Sequence, residues 1–125
     1  MDKQEIEIIG RNWFKNELVK AGINFATPER DNGIDLIAYE DRTTTGYKSI
    51  PIQLKVSTAK HFSIDEKYKK ISKVKIIFIW FVTEYDKTEA FCFKYNELEK
   101  IAKNLKWTTS NTWLKNKSYN NNNNW

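Results

Sequence analysis

The feature that most constrains the fold of this chain is the uninterrupted apolar run over residues 76–82. An extended segment without polar alternation has two apolar faces, so both faces must be covered by other elements. The run is much shorter than the roughly 20 residues that span a bilayer. We therefore predict a central strand over residues 75–82, inside a sheet with a layer on each side.

The N-terminal residues 3–21 have the spacing of an amphipathic helix. Gly22 follows them as a natural end signal. Gly10 lies within the segment and costs about 1 kcal/mol relative to Ala, so we expect close packing there. The predicted apolar stripe consists of Ile6, Ile9, Trp13 and Ala21, widened by Phe14 and Leu18.

The rest of the pattern predicts short strands and two further helices. We predict strands over residues 23–27, 34–39, 50–56 and 89–93, and a closing helix from 95 or 96 to 105. Ser63 and Glu66 have the spacing of a capping box, which predicts a helix over 63–71. The order α-β-β-β-α-β-β-α indicates an α/β (α+β) fold with a sheet flanked by helices, a domain over 1–106 and a polar, aromatic C-terminal extension over 107–125.

Charge and cysteine content limit the compartment and the partners. Residues 1–41 carry nine acids and five bases, whereas residues 42–125 carry seven acids and sixteen bases. This basic second part predicts attraction to a polyanion. The single cysteine, Cys92, excludes an intrachain disulfide, and its apolar neighbours predict a buried thiol. With no signal-peptide pattern, we expect a cytoplasmic protein without a membrane partner.

Three polar side chains stand out in the two middle strands. In residues 50–56 the apolar side chains share one face, and Gln53 and Lys55 share the other. Asp35 is an acid inside an otherwise apolar strand, where it must be paired, metal-bound or facing an opening. A hairpin would bring the three together. Asp35 and Gln53 can then offer oxygens to Mg²⁺, and Lys55 can stabilise charge on a phosphoryl group.

These residues resemble the PD-(D/E)XK nuclease superfamily. Asp-x-Gly-Ile-Asp at 31–35 and Gln-x-Lys at 53–55 look most like the Mrr-type restriction endonucleases and their Holliday-junction-resolvase-like relatives, over residues 5–83. The resemblance implies a restriction-endonuclease-like mixed sheet and Mg²⁺-dependent cleavage of DNA, with Mn²⁺ able to substitute. It assigns metal binding to Asp35 and Gln53 and catalytic support to Lys55. Asp31 is expected to form a turn rather than to bind metal.

The chain departs from the family pattern at two places. Gln53 stands where an acid is more common, and Arg11 rather than Glu follows Gly10. Either Glu7 or Glu17 could supply the missing helix carboxylate. A strand of about six residues runs back about 20 Å beside the helix, which favours Glu7 as the third metal ligand.

Basic residues near the motif have two interpretations, phosphate contacts or a solvated lysine face. The candidates for contact with nucleic acid are Arg30, Lys60, Lys67, Lys69, Lys70 and Lys73. The leading hypothesis is a Mg²⁺-dependent DNA endonuclease. Because cleavage of a duplex by one small domain usually needs two active sites, a homodimer is expected. A nuclease-fold module that only binds DNA and a protein-interaction domain are the alternatives.

Overall fold

The computed structural model describes residues 1–30, 32–42 and 46–121. Its helices and strands are α1 (Lys3–Lys20), β1 (Asn24–Ala26), β2 (Leu36–Arg42), β3 (Gly46–Val56), β4 (Phe62–Asp65), β5 (Lys75–Trp80), β6 (Glu89–Lys94), α2 (Tyr95–Asn104), α3 (Asn111–Asn116) and β7 (Ser118–Asn121). Short 3-10 helices lie at Glu66–Lys70, Tyr85–Lys87 and Trp107–Thr109. Within these described ranges, each helix is too short or too polar for a membrane span.

The described strands form a five-stranded mixed sheet in the order β1-β2-β3-β5-β6 and a separate β4-β7 pair. The first three strands are the predicted antiparallel meander. β5 runs parallel to β3 and antiparallel to β6, so the apolar run does lie inside the sheet. β5 ends at Trp80 rather than at residue 82, because Phe81 has a left-handed backbone with φ of 55° that a strand cannot continue.

One face of the sheet packs against α1. The residues of α1 that face the sheet are spaced by four: Ile6, Gly10, Phe14 and Leu18. Ile9 is 37% exposed, so the buried stripe is rotated from the predicted one. A Cβ on Gly10 would clash with the side chain of Val56, which confirms the close approach expected at this glycine. The sheet side of this cluster consists of Leu36, Ile52, Leu54, Ile77, Ile79 and Val82.

The opposite face of the sheet carries a core rich in aromatic rings. Phe62 is fully buried, with its ring centroid 5.3 Å from that of Phe78 and 4.8 Å from that of Trp107. Trp113 is also buried in this cluster, and β7 pairs with β4. Residues 107–121, assigned from the sequence to the C-terminal extension, therefore pack on this face.

The predicted helix over residues 63–71 is wrong. Ser63 lies inside β4, where Phe62 and Ile64 are buried and alternate with more accessible neighbours, as a strand requires. The capping residue is Asp65, whose side chain accepts a hydrogen bond of 2.9 Å from the backbone N–H of Lys67. That cap begins only a 3-10 helix, because β4 takes its backbone partner from β7, far along the chain.

The prediction of a buried Cys92 is also wrong. Cys92 lies on β6, an edge strand, and is exposed. It shares the face of Ile77, its cross-strand neighbour, on the side of the sheet where α1 packs. α1 packs mainly over β3 and β1, away from the edge strand, and Cys92 on β6 stays accessible.

Candidate active site

The candidate site lies where β2 and β3 separate. The backbone N–H of Asp35 donates to the carbonyl of Ile52 at 2.8 Å, just before β2 begins at Leu36. At the next step along β3, the N–H of Leu54 donates to Oδ2 of Asp35 at 2.7 Å. The carbonyl of Leu54 accepts from Nε2 of Gln53 at 3.3 Å. Side chains thus replace the backbone hydrogen bonds between β2 and β3 at Leu54. We call this point, where the two strands separate after Asp35 and Ile52, the fork, and it places Asp35 beside Gln53.

Gln53 is a buried polar residue with only one end of its amide satisfied. The residue is 9% exposed, and Oε1 has no hydrogen-bond partner among the described residues. A buried acceptor left without a partner typically costs about 1–3 kcal/mol. An ordered water or a cation would remove that cost, so this oxygen marks a position that favours either one.

Lys55 lies on the same strand face as Gln53 and is held by Tyr68. Its Nζ donates to the hydroxyl of Tyr68 at 2.9 Å and lies 4.7 Å from the centroid of that ring. Burial lowers the pKa of Lys55 below its usual value, although the negative charges of Asp35 and Asp65 partly raise it again. Burial also raises the pKa of the Tyr68 hydroxyl, which therefore stays protonated at neutral pH.

Tyr68 also touches the turn that leads into Asp35. Gly33 has a φ of 89°, a conformation that favours glycine. A Cβ at this position would lie 3.4 Å from Cε1 of Tyr68 and 3.2 Å from Cδ1 of Ile71. The ring of Tyr68 therefore contacts Lys55 on one strand and packs beside the start of the other.

A polar cavity of about 490 Å³ opens over the fork. α1 lines it with Lys3, Glu7 and Arg11, which are spaced by four residues and so share one side of the helix. The other polar side chains around it include Asp35, Gln53, Lys55, His61, Ser63 and Asn120. The cavity therefore joins the three motif residues to α1 and to the β4-β7 pair.

The two candidate helix carboxylates lie in different surroundings. Glu7 lines the cavity, close enough to raise the pKa of Lys55. Glu17 instead pairs with Lys20 on the helix surface, with 3.3 Å between Oε1 and Nζ. Glu7 is therefore the helix acid that the structure brings near Asp35 and Gln53.

The six predicted nucleic-acid contacts all lie outside the residues that line this cavity. Lys67 is 3.9 Å from a carboxylate oxygen of Asp65, and Lys69 is 3.7 Å from one of Glu99. All six are exposed, including the four without an ion pair in the described part of the chain, Arg30, Lys60, Lys70 and Lys73. Asp31, predicted to form a turn, lies outside the described residues.

Sequence reasoning missed the places of Lys3, Arg11 and Tyr68 in the site. Lys3 and Arg11 had a usable signal, because each lies four positions from Glu7 on one helix face. Tyr68 had none, since its segment was assigned to an α-helix and its contact with Lys55 depends on the path of the chain after β4.

The candidate ligands at the fork are oxygen atoms, which suit a hard cation better than nitrogen or sulfur ligands do. Among the described residues, no three His, Cys, Asp or Glu side chains are grouped as a metal site. The available set is the carboxylates of Asp35 and Glu7 and the unsatisfied amide oxygen of Gln53. Mg²⁺ prefers oxygen and keeps several waters, so one or two protein side chains can hold it.

Comparison with known proteins returned no match to a protein family, a curated protein or a solved structure. The resemblance to the PD-(D/E)XK nucleases therefore stays a prediction, based on the motif residues.

Proposed function

We propose that this chain is a Mg²⁺-dependent endonuclease that hydrolyses DNA phosphodiester bonds, with Mn²⁺ able to substitute. The observation that carries the proposal is the fork. There, a carboxylate, a lysine ammonium and a buried amide oxygen with no hydrogen-bond partner among the described residues surround one polar cavity. These are the side chains needed to hold a cation and to meet the charge of a phosphate.

Asp35 and Gln53 would hold the metal, with Glu7 as a further carboxylate at the cavity wall. Bound Mg²⁺ would polarise a phosphoryl oxygen and lower the pKa of a coordinated water. The hydrogen bond from the N–H of Leu54 fixes the orientation of the Asp35 carboxylate before any ligand arrives. Gln53 would contribute Oε1, which is buried and accepts no hydrogen bond from the part of the chain that the structure describes.

Lys55 meets the negative charge that develops on the phosphoryl group. Its ammonium is preorganised, because Tyr68 contacts it through both the hydroxyl and the ring. Lys3 and Arg11 line the same cavity and can contact the neighbouring phosphates. Three cationic side chains then face two carboxylates, a balance that favours an anionic substrate.

The outer surface supports the same class of substrate. The excess of bases over acids in residues 42–125 would attract a polyanion, and the exposed side chains that would contact phosphates are Arg30, Lys60, Lys67, Lys69, Lys70 and Lys73. Cleavage of both strands of a duplex needs two active centres, which we expect a homodimer to supply.

The test is cleavage of plasmid and branched DNA in Mg²⁺ or Mn²⁺. Asp35→Ala and Lys55→Ala are expected to reduce the rate at least about a hundredfold, because the first removes a metal ligand and the second removes the ammonium that stabilises charge on the reacting phosphate. Glu17→Gln, which changes an acid on the same helix as Glu7 but outside the cavity, is expected to cut like wild type. Cleavage that survives Asp35→Ala would contradict the proposed centre.

The second candidate is a DNA-binding module without cleavage. It is favoured by Gln53, a neutral residue at the position where the PD-(D/E)XK pattern more commonly has an acid. The neutral side chain lowers the negative charge available to bind a metal. Wild type that binds DNA in a salt-dependent way, yet leaves it intact with both metals, would establish this candidate instead.

A further inference from the structure

One wall of the cavity at the fork is supplied by the β4-β7 pair. Ser63 on β4 and Asn120 on β7 both line the cavity, and they are direct cross-strand partners. Side chains of direct partners in an antiparallel pair lie side by side on one face. The cavity wall therefore includes a residue of the C-terminal segment, far along the chain from Asp35, Gln53 and Lys55.

The aromatic core fixes which face this strand pair turns toward the cavity. Ile64 is 2% exposed, and its partner Tyr119 packs on the same core, with 5.1 Å between its ring centroid and that of Trp107. Successive side chains of a strand point to opposite faces. Ser63 and Asn120, each one position away from this buried pair, therefore point away from the core and into the cavity.

β7 is held firmly in this place. The backbone N–H of Glu66 donates to the carbonyl of Lys117 at 2.9 Å, directly before β7 begins. Trp113, on the preceding helix α3, is buried in the aromatic core. Asn120 thus lies on a strand that is anchored before its first residue and paired along its length. A side chain on such a strand is better positioned for a ligand than one on a loop.

The chemistry of this wall differs from that of the helix that lines the same cavity. α1 contributes the cations Lys3 and Arg11, whereas the strand pair contributes a hydroxyl and an amide, both uncharged. Charged side chains suit phosphates, and neutral donors and acceptors read the edges of bases. The amide of Asn120 offers a donor and an acceptor together, as the edge of adenine requires.

The cavity has room for more than a phosphate and a cation. Its volume of about 490 Å³ lies within the range of sites that hold small molecules. Asn120 is exposed, so a ligand can reach its amide. We infer, on the basis of the proposed function, that Asn120 hydrogen-bonds the base of the nucleotide whose phosphate lies at the fork, with Ser63 beside it. Asn120 is then a specificity-determining residue, and it favours adenine.

The test compares two ligands of the metal-free full chain. One is deoxyadenosine 5′-monophosphate, and the other is 1,2-dideoxyribose 5-phosphate, which lacks the base. The side-chain amide of Asn120 is followed by ¹⁵N NMR, and its signal is identified by its loss in Asn120→Ala. We expect the nucleotide to shift this signal saturably and the ligand without a base to leave it near its free position.

The matched variants separate a contact to the base from a structural effect. Asn120→Ala is expected to weaken binding of the nucleotide about threefold to tenfold, the value of one or two hydrogen bonds, and to leave binding of the ligand without a base unchanged. Asn116→Ala, which removes an exposed amide outside the cavity, is expected to bind both ligands like wild type. Asn120→Gln, which keeps the amide, is expected to retain part of the preference for the nucleotide. A structural effect of Asn120→Ala would instead weaken both ligands equally.

Failure of this contact and failure of the nuclease proposal give different results. Wild type that shifts the Asn120 signal with the nucleotide, yet cuts no DNA in Mg²⁺ or Mn²⁺, would contradict the nuclease alone. Wild type that cuts DNA would still overturn the role of Asn120 under any of three results. These are an Asn120 signal that does not move with the nucleotide, an Asn120→Ala variant that binds the nucleotide as tightly as wild type, and an equal loss for both ligands.

Discussion

The two faces of the sheet bury cores of different kinds. On the α1 face the core is mainly aliphatic, and it comes from one helix and the strands of the sheet. On the other face it is largely aromatic and drawn from segments as far apart as β4 and α3. The candidate site lies between them, because Glu7 reaches it from α1 while Tyr68 holds Lys55 from the aromatic side. The proposed active site thus lies where the core formed by α1 and the sheet meets the core formed by segments that are distant in sequence.

Deleting residues 107–125 tests how far the aromatic face depends on the C-terminal segment. The deletion removes buried Trp107 and Trp113 and uncovers Phe62. Loss of a buried aromatic side chain costs about 3–5 kcal/mol, against a total stability of about 5–15 kcal/mol. We expect the truncated chain to lack a cooperative thermal transition. Leu114→Ser, at a site 61% exposed, is the control and is expected to melt like wild type.

Single truncations compare the packing of the two faces directly. Phe62 and Leu36 are both fully buried, one on each face. We expect Phe62→Ala to lower the free energy of unfolding by about 3–5 kcal/mol and Leu36→Ala by about 2–5 kcal/mol, measured by denaturant titration. A loss below about 1 kcal/mol for Phe62→Ala would mean that the aromatic face is loosely packed.

Gly10→Ala tests the closest approach on the α1 face. The added Cβ would meet the stiff, β-branched side chain of Val56, so the helix must shift. We expect a loss of about 1–3 kcal/mol in the free energy of unfolding. Val56→Ala in the same chain should recover part of it, because it removes the clashing methyl groups. Strictly additive effects of the two substitutions would argue against this contact.

Lys55→Met tests the cost of burying the active-site lysine. Burial lowers the pKa of Lys55 in the folded chain below its usual value of 10.5. Between the folded and unfolded pKa values the unfolded chain binds more protons, so the stability of wild type rises with pH in that window. We therefore expect the free energy of unfolding of wild type to increase relative to that of Lys55→Met as the pH approaches 10.5. A difference in unfolding free energy that stays constant, or moves the other way, would contradict the assigned burial.

Tyr68→Phe is expected to have the smallest effect on stability and a selective effect on Lys55. The hydroxyl accepts a hydrogen bond from the ammonium and so favours its charged form. Its removal should lower the pKa of Lys55 further, while the ring contact remains. Titration of the Lys55 ammonium by ¹⁵N NMR would measure the shift, and an unchanged pKa would mean that the hydroxyl does not hold Lys55 in solution.

The sequence was informative where contacts are local. Helical spacing predicted α1, and alternation predicted the meander and the shared face of Gln53 and Lys55. An acid inside an apolar segment was expected to be paired, metal-bound or facing an opening, and Asp35 both accepts a hydrogen bond from the N–H of Leu54 and lines the polar cavity.

The sequence misled where contacts are distant. Residues 62–65 become a strand only because β7 pairs with them, and β7 comes from the tail assigned as an extension. Tyr68 could not be predicted as a partner of Lys55, because that contact follows from the path of the chain after β4. Cys92 was placed in the core by its apolar neighbours, but those neighbours cannot show that β6 lies at an edge.

Mn²⁺ binding, measured by electron paramagnetic resonance, tests most directly whether the fork is a metal site. We expect wild type to bind Mn²⁺, Asp35→Asn to lose the binding, and Gln53→Glu to bind more tightly because it adds a second charged oxygen beside Asp35. Binding that is unchanged in Asp35→Asn, or is absent in both wild type and Gln53→Glu, would contradict the assignment of the fork as the metal centre.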